Sequence, residues 1–495
     1  MTKQSKNKVE FIASKIKSIK IAELALARWE EDKKNRAARA ERYLLYFTHL
    51  YIEQWLAKEI PAGDRPKISL FLSADTIRQY RAKLFPGRAE VGIKVYPETT
   101  VTNEAVPTET ETAKYENQIL ETYEANQMPL ILHDQSEWFF VGGEACIFAP
   151  HDPIGTPGKN ADTLIFSIDP QKCTIGIHGK TKVYGMHEQT ITAQQARKLD
   201  WVKLAADISD DAVLSDIYYF DLFNYCRIIN NDKESAKVIP NPYAPGYEVP
   251  YFWMPNNAKP GSQIGNSELR HLRTLDKELN FRLSDYAERL RSGVLGPVFV
   301  SGAGNNKNIS LDKDFINYLG LGGKAERLAL SGDGKEYLDY FEFLLSIYQK
   351  KTTITDDVIG GKNTNAASSG IALQYKFLSL QELIDEKRLV WDNGLKQLNK
   401  TILYYKFGAG KKYRNKPIYV NALPTDESVS ANNNVKLVEA GLKARESAID
   451  ELNPNESAQD IIKKINLDKT ANPDFYKKAP QNPAEIPKKA DEKKV

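Results

Sequence analysis

Residues 250–290 read PYFWMPNNAKPGSQIGNSELRHLRTLDKELNFRLSDYAERL, and the texture of the chain changes inside them. PYFWMP is an aromatic run of the kind that fills a strand, closed by Asn, Pro and Gly turn residues. Ser267 follows Gly265 and Asn266, and then Leu269, Leu272, Leu275, Leu279, Leu283, Tyr286 and Leu290 return at spacings of three and four. That period is the signature of an amphipathic helix. It predicts one helix to about Ser292, roughly 39 Å long at 1.5 Å rise per residue, ended by Gly293, Gly296 and Pro297. A strand-rich half gives way here to a helical half.

Working back, Ser69–Tyr251 carries β-branched and aromatic runs bounded by Gly, Pro and Asn: WFFVGGEACIFAP, TLIFSIDP, KCTIGIHG, KVYGMHEQ, DIYYFDLFNYCRII and YEVPYFWMPN. These predict an antiparallel sheet region, interrupted by helices at Glu111–Asn126 and Thr192–Leu204. From Lys8 to about Ile60 the pattern is helical, with a charged middle, EEDKKNRAARAER, whose mixed signs read as a solvated helix face.

Working forward, residues 294–333 form a compact insert with a strand-like VFV. Glu336–Gln349 (EYLDYFEFLLSIYQ) is a helix apolar over so much of its surface that partners should cover it. A loop follows, DDVIGGKNTNAASSG at Asp356–Gly370, and then Leu373, Phe377, Leu380, Ile384, Trp391, Leu395, Leu398 and Ile402 mark a long helix of about 54 Å. Past Gly408 a strand, KPIYVNALP, leads into helices around Asn434–Glu451 and Ser457–Ile465. The tail from about Pro473, rich in Pro, Lys and acidic residues, is expected to be mobile.

Composition narrows the function classes. The chain has 495 residues, enough for several units, and its 68 basic and 65 acidic residues leave a formal charge of only +3. Any nucleic-acid contact must then come from local placement of charge. Three cysteines, Cys146, Cys173 and Cys226, argue against a disulfide framework and for folding in a reducing compartment. The basic N-terminus lacks a secretory pattern, and no apolar run approaches the roughly 18 residues of a membrane span, so no membrane partner is expected.

Chemistry-bearing motifs are scarce. The Gly360–Lys362 loop lacks the G-x-x-x-x-G-K-[ST] needed to cradle phosphates and hold Mg²⁺, since Asn363 follows the lysine and Asp356 stands where the first glycine belongs. Gly179-Lys180-Thr181 fails too, with Thr174 in that place. Cys146-x4-His151 and Cys173-x4-His178 repeat one spacing with His187 nearby, but zinc knuckles are tighter, and a thiol in an apolar strand packs as a small hydrophobe. No G-x-S-x-G or comparable nucleophile signature occurs. No catalytic residue, metal or cofactor is expected. The Gly360–Ser369 tract carries few large side chains and reads as an exposed, mobile loop, with Ser368 or Ser369 able to cap the next helix.

Three stretches in this order resemble the portal proteins of tailed bacteriophages, of the SPP1-like type. FVGGEACIFAPHDPIGT…TLIFSIDPQKCTIGIHGK…KVYGMHE is similar to the family's wing sheet. The opening stretch matches its strand, Asn-containing turn, G-x-S start and long stem helix with an Asn and a Ser-Asp pair. LDYFEFLLSIYQKKTTITDDVIGGKNTNAASSGIALQYKFLSLQELIDEKRLVWDNGL resembles the second stem helix, tunnel loop and tunnel helix. Together they cover about two thirds of the chain; the first 60 residues and the part after Gly408 match only in helical character.

The resemblance implies an α+β portal fold: a wing over 1–260 of helices plus antiparallel sheet, a first stem helix over 261–293 and a small α/β clip over 294–333. A second stem helix over 334–355, a tunnel loop over 356–369, a kinked tunnel helix over 370–407, a helical crown over 408–472 and a flexible tail over 473–495 would follow. It implies a homo-oligomeric ring, a dodecamer, at one capsid vertex of the virion, assembled in the host cytoplasm. Double-stranded DNA would be packaged through it and later leave. Its partners would be the terminase large subunit, a head-completion adaptor, and the major capsid and scaffolding proteins. Lys362, Asn363, Thr364 and Asn365 would face DNA from the loop. Arg270, Arg273, Lys277, Arg282 and Arg289 would either face DNA or pair with acids such as Asp276 and Glu278. A non-channel helical scaffolding or oligomerising virion protein would share the apolar helices, and an enzyme on nucleic acid would need clustered carboxylates or a nucleotide loop.

Overall fold

The computed structural model describes residues 3–50, 68–86, 91–97, 109–150, 163–178, 181–205, 207–234, 236–241, 249–259, 262, 264–295, 298–301, 324–327, 335–354, 370–407, 413–419, 427–452 and 458–471. Helices α1 (Lys3–Glu31), α2 (Lys33–Leu50) and α3 (Leu72–Leu84) lead to strand β1 (Gly92–Pro97), then α4 (Glu109–Ala125) and α5 (Met128–Glu137). Strands β2 (Glu144–Phe148), β3 (Phe166–Ile168), β4 (Cys173–His178) and β5 (Thr181–Thr192) precede the short α6 (Ala193–Arg197). Next come β6 (Val213–Asp221), β7 (Asn224–Ile229), β8 (Lys237–Pro240) and β9 (Tyr251–Pro255). The helical half holds α7 (Arg273–Leu295), the strand pair β10 (Val298–Ser301) and β11 (Lys324–Arg327), α8 (Lys335–Thr352) and α9 (Gly370–Phe407). Strand β12 (Tyr413–Ile418) and helices α10 (Glu427–Glu439), α11 (Arg445–Leu452) and α12 (Ala458–Ala471) complete it.

The fold is α+β, and among the described residues every sheet is antiparallel. Five strands pair in the order β4-β5-β6-β7-β8 and three in the order β3-β2-β9, while β1 pairs with β12 and β10 with β11. Ala22 and Ala25 of α1 sit on one face of the five-stranded sheet, over Met186, Ile217, Tyr219 and Ile228. Small residues let the helix backbone come close, so a helix and a sheet share one dry layer. The β1–β12 pairing joins residues that lie in the wing and crown ranges of the sequence boundaries.

Helix α9 is the axis of the main core. Trp391, Leu395, Leu398 and Ile402 have no exposed surface, and Phe85 meets Trp391 edge-on at 4.9 Å. Burying each such side chain contributes about 1.5–3 kcal/mol. The stripe spacing that marks this helix in the sequence is the stripe that packs.

Several local expectations are corrected. WFFVG at Trp138–Gly142 is a turn of π-helix continuing α5, not a strand; β2 begins only at Glu144. Phe139, Phe140 and Val141 are buried without exposure, and a run buried on every side has no alternation to tell strand from helix. Within residues 8–50 the helical region breaks at Asp32, whose side chain accepts from Asn35 and Thr174, and residues 51–60 lie outside the described residues. Leu72–Leu84 and Met128–Glu137 are helices within the predicted strand region. Only Ala193–Arg197 of the predicted 192–204 helix forms, held by a capping box in which Thr192 and Gln195 exchange backbone and side-chain bonds. Gly293 does not stop α7, which runs to Leu295 after a 3-10 turn at Glu268–His271. The predicted 434–451 helix is two helices separated by a turn with Gly441 at φ 68°.

Candidate nucleic-acid interface and the helix pair that would carry it

Helices α7 and α8 pack against each other in antiparallel fashion. Near the start of α7, Asp276 bears on Tyr348 late in α8, whereas further along, the Arg282 guanidinium lies 5.8 Å from the ring of Tyr340, early in α8. Helix α3 crosses their joined end and supplies the polar contacts there. Ser73 Oγ donates to Asp276 Oδ2 at 2.6 Å, and Thr76 Oγ1 lies 2.9 Å from the Tyr348 hydroxyl. The Tyr80 hydroxyl donates to the Thr352 carbonyl at 2.7 Å. Asn280 and Ser284 accept backbone N–H bonds from Leu70 and Ile68 at 2.8 and 3.2 Å. Asp276 is 1% exposed, and burial pushes its carboxyl up to about 6, against the hydrogen bonds from Ser73 and Asn280.

A second polar knot fixes where α7 begins. Gly143 has φ 90°, and a Cβ there would lie 2.7 Å from the Asn266 carbonyl carbon; a Cβ on Gly265 would lie 1.8 Å from the Gly143 oxygen. The two backbones can only meet as glycines. Asn256 N donates to Gly143 O at 2.8 Å, and Asn266 N to Asn256 O at 2.7 Å. Glu144, 1% exposed, accepts from Gly265 N at 3.0 Å and pairs with Arg39 and Arg42 at 3.1 Å each. Burial pushes the Glu144 carboxyl up against the opposing pull of both guanidiniums. Ser267 caps the first turn through Leu269 N at 3.1 Å. Glu268 pairs with Lys387 of α9, whose ammonium also donates to Asn257 Oδ1 at 2.7 Å. Strand β9, helix α2, helix α7 and helix α9 thus converge on the GNS of the opening stretch.

The candidate channel residues divide. Lys362, Asn363, Thr364 and Asn365 lie outside the described residues, as does the side chain of Arg289. Arg270 is exposed and donates to Asn266 Oδ1 at 3.2 Å; Arg273 and Lys277 are half-buried on α7. Arg282 pairs with Glu278 at 2.7 Å and Asp285 at 3.4 Å. Its pairing raises the guanidinium further. Helix α8 keeps only part of its apolar surface covered: Leu344 and Tyr348 are buried, while Leu338, Tyr340 and Phe343 stand 42%, 43% and 59% exposed. Leu290, near the far end of α7, is exposed as well.

The cysteine–histidine spacings do not gather into one cluster. Cys146 and Cys173 meet, but His187 Nδ1 is 2.6 Å from the Tyr251 hydroxyl, and burial drives His187 down to about 3. His151 lies outside the described residues. Among the described residues no three His, Cys, Asp or Glu are placed to share a metal, and no helix is long and apolar enough to cross a membrane.

Glu144 and Lys387 are framework residues that sequence reasoning missed, and Asp276, read there as a partner for the arginines of α7, is buried and bonded to Ser73 and Asn280. Asp276 and Lys387 carried a signal. Each stands among the apolar positions of its helix, Asp276 beside Leu275 and Leu279, Lys387 between Ile384 and Trp391, where a solvated charge does not belong.

No protein-family model matches the chain, and no curated protein matches it. Among solved structures, a chain from the neck of a native GTA particle, computed with C12 symmetry, is similar at TM-score 0.42 and 10% identity. The match covers 77% of this chain and 89% of that one. The likeness is distant, and at that score it carries no argument about function.

Proposed function

We infer that this chain is the subunit of a ring-shaped portal of a tailed phage or phage-like particle, through which double-stranded DNA enters and leaves. The observation that carries the reading is that Leu338 and Phe343 stand exposed on different sides of α8, a helix packed antiparallel to α7 through Tyr340. Exposed apolar side chains on two sides of one helix suit contacts with two neighbours, and a heterologous contact repeated around an axis closes into a ring when its rotation closes. The order of segments around that pair supports it: a small strand pair between the two helices, and residues 356–369 between α8 and the long α9. In this reading α7 and α8 are stem helices, β10–β11 belongs to the clip that meets the terminase and then the adaptor, and Lys362–Asn365 lie against DNA.

The subunit acts without catalysis of its own, the energy coming from the terminase motor. A channel through which DNA slides cannot hold it tightly, because each neutralised phosphate adds affinity that resists movement. The formal charge of +3 over 495 residues agrees with this. Lys362, repeated around a ring, would supply one thin cationic girdle, with Asp356 and Asp357 limiting attraction.

Negative-stain electron microscopy with native mass measurement of the purified protein tests the reading. Closed rings with a hole wide enough for duplex DNA are expected. Oligomers without a central hole would instead favour the helical scaffolding alternative. Deleting Lys362–Ala367 should leave the rings intact while impairing packaging or retention; normal packaging by that variant would remove the loop from the mechanism.

A further inference from the structure

Cys146 and Cys173 sit in strands of different sheets, β2 and β4, yet their sulfurs are 3.5 Å apart and neither residue has exposed surface. One side chain, Arg39, bridges the two strands at this spot. Arg39 Nη1 donates to the Cys173 carbonyl at 2.7 Å while Arg39 Nε pairs at 3.1 Å with Glu144, two residues before Cys146. Cys146 is also fixed in register between Ile168 and Trp253, and Cys173 opposite His187. A disulfide has an S–S bond of about 2.0 Å, so each sulfur needs to move less than about 1 Å. We propose that Cys146 and Cys173 form an oxidisable dithiol that closes to a disulfide and locks the three-stranded sheet to the five-stranded sheet.

The oxidant is hydrogen peroxide, small enough to reach a buried thiol. Burial and the Cys173 neighbour push the Cys146 thiol well up, so its thiolate is scarce and oxidation is slow, with the Lys182 ammonium and the Arg39 guanidinium opposing that push in part. The Cys146 sulfur attacks one peroxide oxygen, the O–O bond breaks, and a sulfenic acid and one water result. The Cys173 sulfur then displaces the sulfenic oxygen, the S–S bond forms and a second water leaves. The two thiols have lost two electrons and two protons, and the peroxide has gained them. Cys226, buried under α1 in a separate cluster, has no sulfur partner placed this way and serves as the internal control.

The test uses the full-length wild-type protein. It is treated with hydrogen peroxide, denatured in an alkylating reagent, and analysed by intact mass and peptide mapping, with methionine sulfoxide confirming exposure to the oxidant. The expected product has lost two hydrogens, carries one alkyl group on Cys226, and yields a reducible peptide joining Cys146 to Cys173. Its thermal midpoint should rise and return on reduction. In Cys173→Ala, dimedone should trap a sulfenic acid on Cys146 that the wild type does not retain. Three alkylated thiols, a bond to Cys226, or sulfinic acid on Cys146 in the wild type would each overturn the proposal.

Discussion

Glu268, in the first turn after the Ser267 cap, is ion-paired to Lys387 in the middle of α9, and both side chains are largely removed from solvent. This is the tie between the helix that starts at the opening stretch and the helix that forms the core axis. Asn257 completes it, accepting from Lys387 at 2.7 Å and donating to Glu268 at 2.8 Å.

Breaking one side of this pair leaves a buried charge. Lys387→Met should lower stability by about 3–5 kcal/mol, and Glu268→Gln by less, because Glu268 has the more accessible side chain. Chemical denaturation of both variants and the double mutant checks this. The double mutant should be more stable than the sum of the single losses predicts, since the orphaned charge is gone.

Gly143→Ala and Gly265→Ala should both damage the start of α7, Gly265 more severely. At Gly143 the left-handed backbone costs of order 1 kcal/mol or more for a side chain, in addition to contact with Asn266. At Gly265 the added carbon would meet three backbone atoms of Gly143 and Asn256, none of which can rotate away. Hydrogen exchange at 266–280, compared between the two variants, reads the effect directly.

Leu279 and Leu338 make a contrasting pair. Leu279 has no exposed surface, so Leu279→Asp should unfold the subunit by burying an unpaired charge, at a cost of several kcal/mol. Leu338→Glu and Phe343→Glu place charge on exposed sides of α8 and should leave the isolated subunit's melting temperature within about 1 °C to 2 °C, as surface changes do. The same two variants should abolish self-association in native mass measurements.

Asp276 gives a pH dependence with a definite sign. Its carboxyl is raised from 3.8 to about 6, so between those values the folded state holds a proton that the unfolded state has lost. Its contribution is fully present below about pH 4 and falls away as pH rises through 6, by about 3 kcal/mol in all. Asp276→Asn should remove that slope from a stability curve measured between pH 4 and 7.

His187 runs the other way. Burial lowers it from 6.5 to about 3, so acidification protonates the unfolded state first. Stability from this group is present above pH 6.5 and is lost as pH falls toward 3, about 2 kcal/mol of it by pH 5. His187→Phe should flatten that limb, and the double variant with Asp276→Asn should show neither slope.

The amino-acid sequence by itself determined where the helical half starts, which faces of α7 and α9 are apolar, and that the middle region folds as antiparallel strands. Leucine spacing and strand alternation are local signals that need no knowledge of partners. It also marked α8 as apolar over much of its surface, and Leu338, Tyr340 and Phe343 stand exposed on it. Only the tertiary structure decided that WFFVG is helical, because burial from all sides erases periodicity. Only it decided that β12 pairs with β1 far back in the chain, that Gly143 and Gly265 touch, and that Lys387 reaches Glu268. It alone brought Cys146 beside Cys173. Those relationships join residues distant in sequence, and pairing across such distances is fixed by the packing of whole elements, which no window along the chain contains.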